Sequence, residues 1–298
     1  MESNRLKVAV QKKGRLSDGS LKLLERCGVE FFRSKDKLLT HSSNMALDLL
    51  FMRDDDIPGL VMDGVVDLGF VGENVLFESQ LKREARESAS DFKIIKKLDF
   101  GYCRLALAVD RESDYKGLSD ISGSTVATTY PYLVSKFLTE KNIECSIIKL
   151  SGSVEVAPRA GLAAVVADLV STGTTLEANG LTEVETILDS NAVIVQRVGE
   201  IENEKTDLIN RLLARIQGVT SAKESKYIML HAPVDKLDEI KQLLPGAEDP
   251  TILDLASTPD KVAMHLVCSE NLFWETMEML KELGATSILV LPIEKMLE

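Results

Sequence analysis

The chain has 298 residues, 45% hydrophobic and 28% charged, the composition of a globular protein with room for two or three cores. Its 35 basic against 47 acidic residues leave a formal charge of −12, so counterion release offers it nothing and nucleic acid is not an expected partner. Cys27, Cys103, Cys145 and Cys268 form no C-x-x-C pair, and no apolar run has membrane or signal-peptide form, so we expect a cytoplasmic protein without structural zinc or a membrane span.

Residues 5–10 (RLKVAV) predict a first strand, followed by a polar turn at 11–15 and a helix from about 17 to 27 that Gly28 ends. The turn carries Lys12, Lys13 and Arg15 beside Gly14, at the strand end where open α/β sheets gather ligands; solvated loop charges are the alternative. Asp54, Asp55 and Asp56 precede Ile57 and Pro58, which reads as a helix start with acids complementing the dipole, rather than as a set of metal ligands. That helix ends at Gly64, residues 66–71 (VDLGFV) predict a buried strand, and Gly72-Glu73-Asn74 turns into another helix. Such strand–turn–helix units also line the cleft of two-lobed solute-binding proteins. Residues 98–109 predict one further strand, with Asp99, Gly101 and Arg104 near its start. A charge in an apolar strand needs a partner, and either Asp99 or a substrate phosphate would serve Arg104.

Near Asp110 the pattern restarts: a strand at 124–129, a helix at 132–141, a strand at 145–150 and a helix at 156–162. The apolar run 162–166 suits a short buried strand or a packed helix end, and residues 163–169, which include Asp168, lead to a turn rich in hydroxyls. That turn holds Ser171, Thr172, Gly173, Thr174 and Thr175. Glycine lets the backbone turn closely, and consecutive N–H groups and hydroxyls can surround an anion. An acid beside such a cradle repels phosphate but can accept hydrogen bonds from sugar hydroxyls, so a sugar phosphate fits better than bare phosphate. The same composition also serves a plain polar turn. It is not a Walker A loop, since no lysine lies between Glu155 and Leu176.

Glu155, Gly161, Ala163, Val166, Asp168, Leu169, Thr172, Gly173, Thr175 and Leu176 stand at the spacing of a signature that resembles ATP phosphoribosyltransferase. The stretches 53–64 (RDDDIPGLVMDG), 71–76 (VGENVL), 98–104 and 224–233 (ESKYIMLHAP) are similar to the same family, so nearly the whole chain is covered. The resemblance implies an α/β protein with a two-lobed, periplasmic-binding-protein-like catalytic core. Lobe I would comprise residues 1–105 with 181–222, the strands at 183–188 and 191–198 returning to it, and lobe II residues 106–180.

From about residue 226 the order strand, helix, strand, strand, helix, strand reads as a ferredoxin-like βαββαβ domain over 226–298, with a turn at Pro245-Gly246. Phe273, Trp274, Met277 and Leu280 recur at helical spacing as core or subunit contact. By resemblance this module binds histidine, near His231, Thr251, Leu266 and Ser287; ordinary strand residues are the alternative.

The implied reaction is attack of N1 of ATP on 5-phosphoribosyl 1-pyrophosphate (PRPP), with Mg2+ on the departing pyrophosphate and histidine as feedback inhibitor. Asp168 and Glu155 would face the ribose, residues 171–175 the 5-phosphate, and Lys13, Gly14, Arg15, Asp99, Arg104 and Arg159 the ATP or pyrophosphate. Alanine at 167 leaves Asp168 without the adjacent acid of many phosphoribosyltransferases, and Glu155, otherwise a helix cap, is the candidate second acid. His41, His231 and His265 are the only histidines, too few and too remote from the loop for a nucleophile–His–acid site. The family also implies a homo-oligomer, from dimer to hexamer. A non-catalytic two-lobed binding or sensor protein is the competing expectation.

Overall fold

The computed structural model describes residues 4–32, 37–244, 250–269 and 274–296. The chain begins β1 (Leu6–Gln11), α1 (Arg15–Arg26), β2 (Leu39–His41), β3 (Leu47–Met52), α2 (Ile57–Met62), β4 (Leu68–Gly72), α3 (Glu73–Glu84) and β5 (Phe92–Lys97). It continues β6 (Cys103–Asp110), β7 (Thr125–Thr128), α4 (Pro131–Glu140), β8 (Ser146–Lys149), β9 (Val165–Val170), α5 (Thr174–Ala178), β10 (Leu181–Ser190), β11 (Ala192–Arg197) and α6 (Asn203–Lys223). The last part is β12 (Ser225–Pro233), α7 (Leu237–Leu243), β13 (Thr251–Asp254), β14 (Lys261–Ser269), α8 (Trp274–Glu282) and β15 (Thr286–Pro292). Two compact units divide the chain, one ending at Ile209 and one starting at Asn210.

The first unit is built on two sheets, ordered β2-β3-β1-β4-β11-β5 and β10-β6-β9-β7-β8. In the first, β3, β1 and β4 run parallel, and β11 adds antiparallel to β4. Their buried runs (VAV in β1, LGFVG in β4) are what a sheet covered on both faces requires. Ile57 and Val61 of α2 pack with Ala9, Val71 and Val195 on one face. Gly69 is needed there, because an added Cβ would stand 2.7 Å from Ile57 Cγ2 and 2.9 Å from Val61 Cγ2. Gly69→Val is expected to lower unfolding free energy by about 1–3 kcal/mol in urea melts. A wild-type midpoint would mean that α2 is not seated on β4.

The two sheets are joined twice, through residues 98–102 between β5 and β6 and through Asn191 between β10 and β11. The joints are tied together: Leu98 N–H donates to Ala192 O at 2.9 Å, Ala192 N–H to Phe100 O at 3.1 Å, and Tyr102 O–H to Asp189 at 2.9 Å. Helix α3 fixes the second joint from above. Glu73 accepts Asn191 N–H at 2.8 Å, and Asn74 bonds with the Ser190 hydroxyl in both directions, at 2.9 and 3.0 Å.

Several expectations are corrected here. Residues 181–190 do not return to the first sheet; β10 pairs antiparallel with β6 from Leu181↔Asp110 to Ser190↔Cys103, so the return begins at β11. The strand expected at 98–109 starts at Cys103, and its first five residues are the joint, turned by Gly101 at φ 74. No regular helix forms at 156–162. Instead a 3-10 turn (Val154–Val156) is followed by turns closed by Leu162 N–H on Ala157 O, with Pro158 and Gly161 (φ 68) stopping propagation. Strands β2, β3 and β5 carry signals too short or too charged to be read: three residues in β2, Asp48 inside β3, and Lys93, Lys96 and Lys97 in the edge strand β5. Asp48 is buried there because Arg5 and His41 hold it, at 2.5 and 2.8 Å.

The second unit carries the four-stranded antiparallel sheet β13-β14-β12-β15, which with α7 and α8 gives the ferredoxin-like order. Ile228, Leu230, Met264, Leu266 and Cys268 pack with Ile240 and Leu280 of the two helices. Leu280 is therefore core, whereas Trp274 is 76% exposed; Pro245, Gly246 and Phe273 lie outside the described residues. Among the described residues no helix is long and apolar enough to cross a membrane.

Candidate functional site

The parallel strands β7, β8 and β9 end on one edge of the second sheet, the edge where crevices form in open α/β folds. Strand β9 brings Asp168 there. Val166 and Val170 are buried on the face where Val154 and Ala157 pack, and strand alternation puts Asp168 on that same face, half-buried. The 3-10 turn over this face carries Glu155, 13 residues before Asp168 in sequence and near enough for its charge to act on that carboxyl at the base of the loop. Burial pushes the Asp168 carboxyl above the usual aspartate range; the Leu169 N–H, donated at 2.8 Å, pulls it down and the charge of Glu155 pushes it further up.

After Val170 the chain turns outward. Ser171, Thr172, Thr174 and Thr175 are exposed, while Leu176 is buried with Val166 and Leu181 and anchors the loop from below. Gly173 makes the turn at φ 85, and the space where its Cβ would stand is open, so the backbone is accessible. The Thr172 and Thr174 hydroxyls are 3.0 Å apart and lie on one side of the turn. No side chain caps the following short helix α5. The loop therefore offers hydroxyls and backbone N–H groups beside two carboxyls, a donor array for an oxyanion next to acceptors for hydroxyls.

The other expected site residues are distributed around this edge. Arg159 is exposed, with its guanidinium beside Gly180 just past α5. Arg104 pairs in register with Val170, so it stands next to the start of the loop. Its carboxylate partner is Glu183, one strand over, where Asp99 or a substrate phosphate was expected; Glu183 binds it with two bonds of 2.5 and 2.6 Å. Lys13, Gly14 and Arg15 are exposed between β1 and α1, at the corresponding edge of the first sheet; Gly14 (φ 106) begins α1 with no side-chain cap. Asp99 is exposed in the joint before β6. Arg15 comes near enough to Cys103 for its charge to act there: burial pushes that thiol up, and Ser190 and Arg15 pull it down.

Sequence reasoning missed the contact between α3 and α4. Glu78 accepts the Tyr132 and Leu133 N–H groups at 3.1 and 2.8 Å, capping α4, and Asn74 donates to the Tyr130 hydroxyl at 3.0 Å. Burial pushes the Tyr130 phenol far up. Beside this contact a cleft of about 360 Å³ opens between the 3-10 turn Asp54–Asp56, α3 and the ends of β7 and β8. Val75, Glu78, Ser79 and Lys82 line it at helical spacing, a signal that residues 73–84 offered and that passed unread.

In the second unit, His231 and Thr251 stand on the sheet face away from α7 and α8, where Tyr227 O–H and His265 Nδ1 are 2.6 Å apart. Leu266 is buried on the helix-covered face, so it is part of the core and not of a surface shared with His231. Ser287 (φ 53) lies where the β12–β15 register shifts.

A family profile described as "ATP phosphoribosyltransferase" matches residues 53–218, and one described as "HisG, C-terminal domain" matches residues 222–295. Among solved structures, the ATP phosphoribosyl transferase (HisG:HisZ) complex from Thermotoga maritima is similar at 26% identity and a TM-score of 0.59. That match covers 71% of this chain and 98% of the other. Tv2483 bound to L-arginine matches at 11% identity and a TM-score of 0.48, covering 74% and 86%. The arginine-bound form of truncated ArgBP from T. maritima matches at 15% and 0.43, covering 72% and 95%.

Proposed function

The chain belongs to the ATP phosphoribosyltransferase family, and we propose that the loop 171–175 holds the 5-phosphate of PRPP, with Asp168 and Glu155 on its ribose. The family reaction moves the 5-phosphoribosyl group from PRPP to N1 of the adenine of ATP, releases pyrophosphate and opens histidine biosynthesis. The observation that carries the assignment is the convergence of two carboxyls with an open, glycine-turned run of hydroxyls at one sheet edge.

The chemistry follows from that arrangement. Departure of pyrophosphate leaves positive charge on the ribose, and carboxylates on its hydroxyls stabilise that charge as it develops. The phosphate held by the loop fixes the sugar at one end, so C1′ is presented to the acceptor in a set direction. Asp168 must be ionised for this role, and its raised proton affinity means that lowering the pH through its folded-state value removes the charge. Lys13 and Arg15, and Arg159 beside the loop, are the proposed contacts for pyrophosphate or triphosphate. Arg104 would reach a phosphate only by leaving Glu183, so its first role is to set β6 against β10.

Among the described residues no group of three or more His, Cys, Asp or Glu side chains is arranged to hold a metal ion. Magnesium keeps most of its waters and binds through one or two carboxylates plus substrate phosphates, so it fits this protein as a companion of the pyrophosphate. When bound it neutralises charge on the leaving group. We further propose lobes bounded by the joints at 98–102 and Asn191, a homo-oligomer of two to six subunits working in the cytoplasm, and a C-terminal domain that senses histidine without a separate regulatory subunit.

The test is pyrophosphate release from PRPP. It is expected to require both ATP and a divalent ion. Release without ATP would indicate another acceptor base, and no release by folded protein would favour a binding module.

A further inference from the structure

Helix α3 belongs to two cores at once. It leaves the first sheet at β4, and its Val75 and Leu76 pack there with Val71 and Val193. Phe77 and Leu81 pack instead against Leu105, Leu107 and Leu133 in the core of the second sheet. Tyr130, at the entry to α4, packs against both clusters. The polar part of this bridge is Glu78. Helix α4 opens with Pro131, and its N-cap residue Tyr130 supplies no side-chain bond. Glu78 supplies the cap from the other sheet's helix, accepting the Tyr132 and Leu133 N–H groups from 54 and 55 residues away. Burial pushes the Glu78 carboxyl up, and those N–H groups, with Lys149 and Lys82, pull it down.

The cap leads directly to the candidate site. Tyr130 N–H donates to the Thr128 hydroxyl at 2.9 Å, and Thr128, the last residue of β7, pairs in register with Ala167, next to Asp168. At the other end of α3, Glu73 and Asn74 hold Asn191 and Ser190 at the joint. Strand β4, from which α3 springs, lies beside β1, whose end leads to Lys13 and Arg15. We propose that Glu78 is a positioning residue for phosphoribosyl transfer. Lent by α3 to α4, it fixes the angle between the two sheets, and so aligns the donor at residues 168–175 with the phosphates at Lys13 and Arg15. The proposal rests on reading those residues as the two ends of the reacting pair. Reactants held firmly but aimed apart react slowly, so losing the cap costs rate and spares affinity.

The test uses the full chain with magnesium and compares wild type, Glu78→Gln and Glu78→Ala. Single-turnover transfer is timed, and ATP and PRPP are each titrated alone by calorimetry. Glutamine keeps the bulk and one accepting oxygen, whereas alanine keeps neither. Transfer is expected to slow roughly 10- to 100-fold in Glu78→Ala and less in Glu78→Gln, with both affinities within about twofold of wild type. A wild-type rate in Glu78→Ala overturns the proposal, whatever the melting temperature, because the cap then only stabilises α4. Affinity that falls as far as the rate also overturns it, since Glu78 would then touch a substrate. So does an equal slowing in Ser135→Gly, an exposed position where glycine loosens α4 and leaves Glu78 in place. If Glu78→Ala does not fold, Glu78→Gln decides: a wild-type rate overturns the proposal, and slower transfer at unchanged affinity supports it. PRPP affinity that ignores Thr172→Val overturns the loop reading, and this proposal falls with it. PRPP binding that needs Thr172 while transfer ignores Glu78 overturns this proposal alone.

Discussion

Asp168→Asn is expected to lower kcat by roughly 100- to 1,000-fold, the scale of losing one group aimed at charge that develops in a transition state. Its melting temperature at neutral pH is expected to stay at or slightly above wild type. The reason lies in the direction of the carboxyl's shift. Burial raises Asp168 above its unfolded value of 3.8, so the folded protein holds that proton more tightly than the unfolded chain does. The resulting stabilisation is present below the unfolded value and is lost as pH rises through the folded one. At neutral pH the ionised carboxyl is therefore a small burden on the fold, which asparagine removes. Thr172→Val, at an exposed position, is expected to weaken PRPP binding without lowering the melting temperature. If both variants lose several degrees along with activity, these residues hold the loop together and the assignment is wrong.

Removing residues 226–298 is expected to abolish inhibition by histidine while pyrophosphate release continues. The chain of the T. maritima HisG:HisZ complex is matched over 98% of its length by 71% of this one. The truncation leaves α6 complete, since that helix ends at Lys223. An inhibitor that acts through a second site shifts affinity by about 5- to 150-fold, and that entire factor should vanish. Inhibition persisting in the soluble truncation would move the histidine site into the first unit. His231→Ala gives a finer reading, because His231 lies on the open sheet face and outside the packed core.

What could be read from the sequence was local chemistry. Hydroxyls around Gly173, and the acid before them, announce themselves within eight residues, and the alternation of β12 and β14 is plain in their side chains. The ferredoxin order followed from element order alone. Long-range partnerships were hidden. Glu183 takes Arg104 from 79 residues away, and nothing near either residue marks the other. Strand β10 has the look of any half-buried strand, so its pairing with β6 in the second sheet could not be told from a return to the first. The cleft at Lys82 and Lys149 joins two elements far apart in the chain, and its charges read singly as a solvated surface. Asp48 hid β3, because a buried aspartate is tolerated only when its partners, here Arg5 and His41, are known.

The central claim is that residues 171–175 grip the phosphate end of a ribosyl donor while Asp168 attends its sugar. The most direct measurement is a crystal structure of the full chain with PRPP and magnesium. The 5-phosphate should then accept hydrogen bonds from the loop's N–H groups and from the Thr172 or Thr175 hydroxyl, with a ribose hydroxyl donating to Asp168. A donor bound with its sugar remote from Asp168, and the loop hydroxyls still facing water, would contradict the account.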